Sequence, residues 1–104
     1  MAKMDMNKMM KEARKMQAEL ARAQEEAALL TAEGTAGGGV VRAVSTGDGI
    51  IESISIDPSV VDPDDVEMLE DLITAAVNEA IRSAQDMTAA KMNAITGNMN
   101  LPGF

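Results

Sequence analysis

The feature that most constrains this chain is a long run that reads as a single helix. From Met4 to Ala32 there is no Gly or Pro, and Ala, Lys, Glu, Gln, Met, Arg and Leu dominate, all strong helix formers. Apolar residues recur at Met6, Met9, Ala13, Met16, Leu20, Ala23, Ala27 and Leu30, in steps of 3-4-3-4-3-4-3. That heptad spacing marks a narrow seam that packs along another helix. About 28 helical residues make a rod of roughly 40 Å. In a chain of 104 residues part of such a rod is expected to project beyond the core.

The rod also carries most of the positive charge. The chain has nine basic and seventeen acidic residues, a formal net charge of −8. Residues 1–22 hold six of the nine: Lys3, Lys8, Lys11, Arg14, Lys15 and Arg22. With Asp5, Glu12 and Glu19 that segment nets +3, and residues 23–104 net −11. At about 100° per residue, Lys8, Lys11, Arg14, Lys15 and Arg22 form a band roughly 140° round the helix from the seam. Glu12, Glu19 and Glu26 lie one heptad apart on the border between them. The glutamates suit a neighbouring helix as flanking partners. The basic stripe is left for a polyanion, or for solvent.

The middle changes period. In "TAEGTAGGGVVRAVSTGDGIIESISIDPS" β-branched residues come in short runs punctuated by glycine. Three strands are predicted, at about 31–36, 40–46 and 50–56, with turns at Gly37-Gly38-Gly39 and Gly47-Asp48-Gly49. Strict alternation puts Ile50, Ile54 and Ile56 on one face of the third strand, and Ile51, Ser53 and Ser55 on the other. The links are too short for crossover helices, so the strands form an antiparallel meander. Gly34, inside the first strand, marks a bulge or a close backbone approach. A second helix follows, with Asp62 as its expected N-cap, Pro63 in its first turn and an end near residue 95. Its apolar stripe runs through Leu69, Leu72, Ile73, Ala76, Val77, Ala80, Ile81, Ala84, Met92 and Ile95. The expectation is therefore a single α+β domain over residues 1–104, ordered α-β-β-β-α, with a projecting N-terminal helix. Edge strands of so small a sheet favour dimerisation.

Composition removes most chemistry. There is no Cys and no His, hence no thiol or imidazole and no zinc site of the usual kinds. No catalytic residue, cofactor, metal or small-molecule substrate is expected. The acids Asp57, Asp62, Asp64 and Asp65 lack calcium-loop spacing and read as capping groups. "GTAGGG" lacks the Lys-Ser/Thr ending of a phosphate loop and reads as a hairpin. Arg42 and Arg82 read as isolated surface charges. No apolar run is long enough for a signal peptide or a membrane span. With no Trp or Tyr and one Phe, the core must be built from Ala, Val, Ile and Met.

Several segments together resemble the YbaB/EbfC family of bacterial nucleoid-associated DNA-binding proteins. They are "MMKEARKMQAEL", "GGGVVRAVSTGDGIIESISIDPSVV", "EMLEDLITAAVNEAI" and the closing "GNMNLPGF". The resemblance covers the whole chain in order. It departs from the family at the front, where many members carry a Gly-rich leader and this chain begins "MAKMDMNKMM". It implies a homodimer whose sheets join and whose first helices extend like the arms of tweezers. It further implies binding to double-stranded DNA and a cytoplasmic place on the nucleoid.

The residues carrying such binding are then Lys8, Lys11, Arg14, Lys15 and Arg22, with Lys3 at the helix front. Phosphate contact accounts for affinity, and no recognition-helix pattern for base readout is evident. The alternative is a protein-interaction adaptor that uses the heptad seam. Attachment to a membrane surface is disfavoured, because the seam offers Met and Ala rather than Trp, Phe or Leu.

Overall fold

The computed structural model describes residues 5–97. Helix α1 spans Met6–Leu29. Asp5 caps it: its Oδ1 accepts from the N–H groups of Asn7 and Lys8, at 3.1 and 3.3 Å, two donors the first turn would otherwise leave unpaired. Leu30 ends the helix in extended backbone. Its carbonyl accepts from Gly47 N–H at 2.9 Å, which fastens the helix exit to the turn between the last two strands.

Strands β1 (Thr31–Ala36), β2 (Val41–Thr46) and β3 (Ile51–Ile56) form an antiparallel sheet in the order β1-β2-β3. The Gly37–Gly39 turn has positive φ at all three residues, 65°, 76° and 99°, a conformation that explains the glycine run. β1 and β2 pair in regular register, Gly34 opposite Ala43. Gly34 is therefore not a bulge. The irregularity lies between β2 and β3, where Val44 faces Ser53 but Ser45 faces Ile51. Glu52 is the extra residue, and it reverses the alternation beyond it. Ile51 thus shares a face with Ile54 and Ile56, and Ile50 stands outside the strand. This corrects the face assignment made from strict alternation.

A short 3-10 turn, Pro58–Val60, follows, with Ser59 N–H donating to Asp57 Oδ1 at 2.9 Å. That bond holds the Asp57 carboxyl below its ordinary value of 3.8. A depressed carboxyl stabilises the folded chain above its unfolded value and loses that contribution as pH falls through the folded one.

Helix α2 spans Val66–Gly97, starting later than the sequence suggests. Asp62 Oδ1 accepts from Asp64 N–H at 2.9 Å, and Asp65 N–H donates to the Asp62 carbonyl at 2.9 Å. Asp62-Pro63-Asp64-Asp65 is thus a closed turn with Pro in its favoured second place. Asp65 takes the capping role, accepting from Met68 N–H at 3.2 Å.

The core is thin. Ala76 and Ala80 of α2 are buried in one cluster with Val41 and Ala43 of β2, and Ala84 of α2 and Ala23 and Ala27 of α1 are buried as well. Ser45, fully enclosed on the same face of β2, donates to the Thr46 carbonyl at 2.9 Å. α2 lies over β1 and β2, and its alanine stripe crosses β1 at Gly34. A Cβ on Gly34 would overlap the Ala80 amide and the Ala76 carbonyl, so the helix backbone rests directly on the strand. These are main-chain atoms that cannot rotate away. Gly34→Ala is accordingly expected to cost about 3 kcal/mol in urea unfolding. Gly38→Ala meets open space and only an unfavourable φ, and should cost about 1 kcal/mol.

Candidate nucleic-acid interface

The surroundings of the α1 seam change along its length. Ala23 and Ala27 are buried, Met16 and Leu20 half-buried, and Met6, Met9 and Ala13 exposed. The seam packs on a helix only through its second half. Its partner is the end of α2. Lys91 Nζ lies 3.0 Å from Glu26 Oε2; Thr88 donates to the Gly47 carbonyl at 3.2 Å, and Gly47 is packed under the Ala27 carbonyl. Glu19, Arg22, Ala94 and Ile95 meet in one shallow depression. Going up α1 from Ala27 to Glu19 means going down α2 from Thr88 to Ile95, so the two helices run antiparallel.

This arrangement makes α1 an arm. Residues before about Gln17 extend past the end of α2, over roughly 17 Å of helix. The radius of gyration is 20.8 Å, against about 13 Å for a compact domain of this length. The long dimension is 79 Å. The acidic first turns of α2, with Asp65, Glu67, Glu70 and Asp71, sit at the far end of a helix about 48 Å long.

Lys8, Lys11, Arg14 and Lys15 all stand exposed on this arm. Arg22 is exposed at its base, beside Glu19, Glu26 and Lys91. None of the five joins an ion pair among the described residues, where the pairs recorded are Lys91–Glu26 and Arg42–Glu33. Lys3 lies outside the described residues. Four candidates therefore share one projecting face, and Arg22 belongs to the junction with α2. Glu26 fills the flanking role its heptad position predicts, whereas Glu12 and Glu19 form no ion pair among the described residues. Arg42 is not isolated, since its Nη1 meets Glu33 Oε1 at 3.4 Å; both side chains are largely exposed, so the pair adds little.

One feature of the arm escapes the heptad pattern. Met6, Met9, Met10, Ala13, Arg14 and Gln17 line an open groove of about 360 Å³ on the arm's surface. Met10 is off the seam and Arg14 belongs to the basic band, so the groove lies between the two.

The sequence pattern of the YbaB/EbfC DNA-binding family matches residues 1–99. The chain belongs to this family. It is 55% identical over 100 residues to a nucleoid-associated protein of Moorella thermoacetica, covering 96% of each chain. A nucleoid-associated protein of Pelotomaculum thermopropionicum is 52% identical over 100 residues, with 96% of this chain and 95% of the relative covered. One of Alkaliphilus oremlandii is 53% identical over all 104 residues and 91% of its own length. The crystal structure of an uncharacterized protein from Helicobacter pylori superposes with a TM-score of 0.68 over 95% of this chain and all of that one, at 20% identity. That likeness shows that the YbaB/EbfC chain described here shares its fold. The family is a DNA-binding class and not a catalytic one.

A second surface stays open on the sheet. α2 covers the helix-side face of β1 and β2 and leaves β3 bare. Ile54 and Ile56 are 44% and 36% exposed there, next to half-buried Ile51 and along an edge with no strand beyond it among the described residues. Contiguous apolar surface beside an open edge is a place for another chain to pair. Ile54→Glu puts a charge in that strip without touching the core; if two chains pair along this edge, sedimentation equilibrium at micromolar concentration should show a smaller species for the variant than for the wild type, with circular dichroism unchanged.

Proposed function

We propose that the protein is a non-enzymatic, homodimeric, nucleoid-associated protein of the bacterial cytoplasm that grips double-stranded DNA. The grip comes from phosphate contacts made by Lys8, Lys11, Arg14 and Lys15 on the arm, with Arg22 at its base and Lys3 ahead of it. The observation that carries this reading is the row of exposed cations Lys8, Lys11, Arg14 and Lys15, with no carboxylate partner among the described residues, on a helix that leaves the body of the protein. The names of the relatives support the nucleoid assignment.

Net charge is the obvious objection, and geometry answers it. At physiological salt the screening length is about 8 Å. The acidic turns of α2 lie several such lengths from the arm, so a duplex held there interacts with the local charge. Lys8 to Arg22 spans about 21 Å of helix, long enough to follow several phosphates along a backbone. Two arms brought together by pairing at β3 would meet the duplex from both sides. With no base-reading pattern on the stripe, preference for sequence is weak and shape-based.

The adaptor alternative draws on the Met6, Met9 and Met10 groove, since Met-rich apolar surfaces accept helical partners. Salt separates the two. Phosphate binding weakens steeply with salt, and apolar docking does not. In a fluorescence titration with duplex DNA, combined Lys11→Ala, Arg14→Ala and Lys15→Ala removes six cations per dimer. The slope of log K against log salt should shrink by about 5, at roughly 0.9 per contact. An unchanged slope and affinity would remove these residues from the interface.

A further inference from the structure

The arm and the start of α2 are complementary surfaces. We propose that the Met-lined groove on the arm of one chain docks on the acidic start of α2 in a second copy.

The arm is one half of this contact. Between Met6 and Gln17 stand four basic residues and one acid, Glu12, a net +3. Met6, Met9 and Met10 are exposed by 67, 45 and 50%, and with Ala13, Arg14 and Gln17 they line the groove. Met6, Met10 and Arg14 follow one another at steps of four along one row of the helix, so the apolar surface passes directly into positive charge. Lys11, three residues from Arg14, is its neighbour on the helix surface.

The start of α2 is the other half. Residues 62–71 hold six acids and no base. Asp65, Glu67, Met68, Asp71 and Leu72 line an open depression of about 370 Å³ there. Met68 is exposed and Leu72 half-buried. Glu67 and Asp71, four apart on the same face, join no ion pair among the described residues. A thioether surface bordered by cations thus meets a thioether surface bordered by carboxylates. Methionine side chains, unbranched and polarizable, adapt to one another across such a contact.

Charge selects this occupant. Two arms laid in each other's grooves would bring like charges together, which costs free energy. Within one chain the two surfaces are held apart by the length of α2, about 48 Å, so the acidic end that the groove receives belongs to another copy. The two patches differ, so the contact is heterologous and can repeat from chain to chain. It depends on the free arm and not on DNA binding. On the reading proposed above, a duplex displaces the neighbouring copy, because both use Lys11 and Arg14.

Methionine methyl NMR reads both halves at once. In the full chain, carrying 13C-methyl methionine, at about 0.01 M salt charges are felt over about 30 Å. The signals of Met6, Met9 and Met10 and that of Met68 should then move together as the protein is concentrated. At about 1 M salt, where the range falls to about 3 Å, the movement should vanish. Lys11→Glu with Arg14→Glu, and separately Glu67→Lys with Asp71→Lys, should each abolish it at low salt. An equimolar mixture of the two variants should restore it, since each then offers the other an opposite charge. Circular dichroism verifies that both variants keep their helices. The proposal is overturned if the wild-type signals ignore concentration, or if the movement persists at about 1 M salt. It is equally overturned if the Met6 group moves without Met68, which gives the groove to a second arm, if either variant behaves as the wild type does, or if the mixture stays silent.

Discussion

The contact between Gly34 and the alanine stripe of α2 is the constraint on which the rest of the molecule depends. A chain with almost no aromatic residues cannot fill a wide space between helix and sheet. It closes that space by letting the helix backbone settle onto the strand, with Gly34 under Ala76 and Ala80. Gly47 under the Ala27 carbonyl does the same for the end of α1. Close approach of small residues replaces the interlocking of large ones. The buried set is accordingly six alanines with Val41 and Ser45, and the larger apolar side chains are half-buried or exposed.

Two consequences follow from so thin a core. α2 is wide enough for two strands, so β3 keeps an open apolar face and an open edge. α1 is anchored only by its second half, so its first half stands clear of the body. The first consequence calls for another chain, and the second produces an arm. Neither reads as a defect once they are set beside the charges. The anchored half of α1 carries the Glu26–Lys91 pair, while the free half carries Lys8, Lys11, Arg14 and Lys15 with no ion pair among the described residues. The acids gather at the opposite end of α2, where screening disconnects them from whatever the arm holds.

Much of this was legible in the residues. The gap-free run before Gly34, the glycine punctuation and the alanine-rich second stripe were enough to order the elements, and the strand limits agree within one residue. Phase was harder. The bulge at Glu52 leaves no mark in composition, and it carried Ile51 across the sheet from its expected face. The start of α2 moved because Asp62 and Asp65 are equally good caps, and Pro63 let the first of them close a turn instead. The seam misled in a different way. A heptad repeat states which face is apolar but not how far along it a partner extends, and here the partner stops near Gln17. The groove at Met10 and Arg14 was invisible for the same reason, since it exists only where α2 does not reach. For the cations, the sequence placed Lys8, Lys11, Arg14, Lys15 and Arg22 on one face, and what it could not show was that Arg22 sits at the junction rather than on the free arm.

The central claim is that polyanion binding belongs to the projecting half of α1 and to no other surface. Amide NMR of the labelled protein titrated with a short DNA duplex measures this residue by residue. The account predicts shifts and broadening concentrated on residues 6–22, greatest near Lys11, Arg14 and Lys15, with Asp65 to Asp71 undisturbed. Perturbations centred on the sheet or the body of α2, with α1 unchanged, would contradict it.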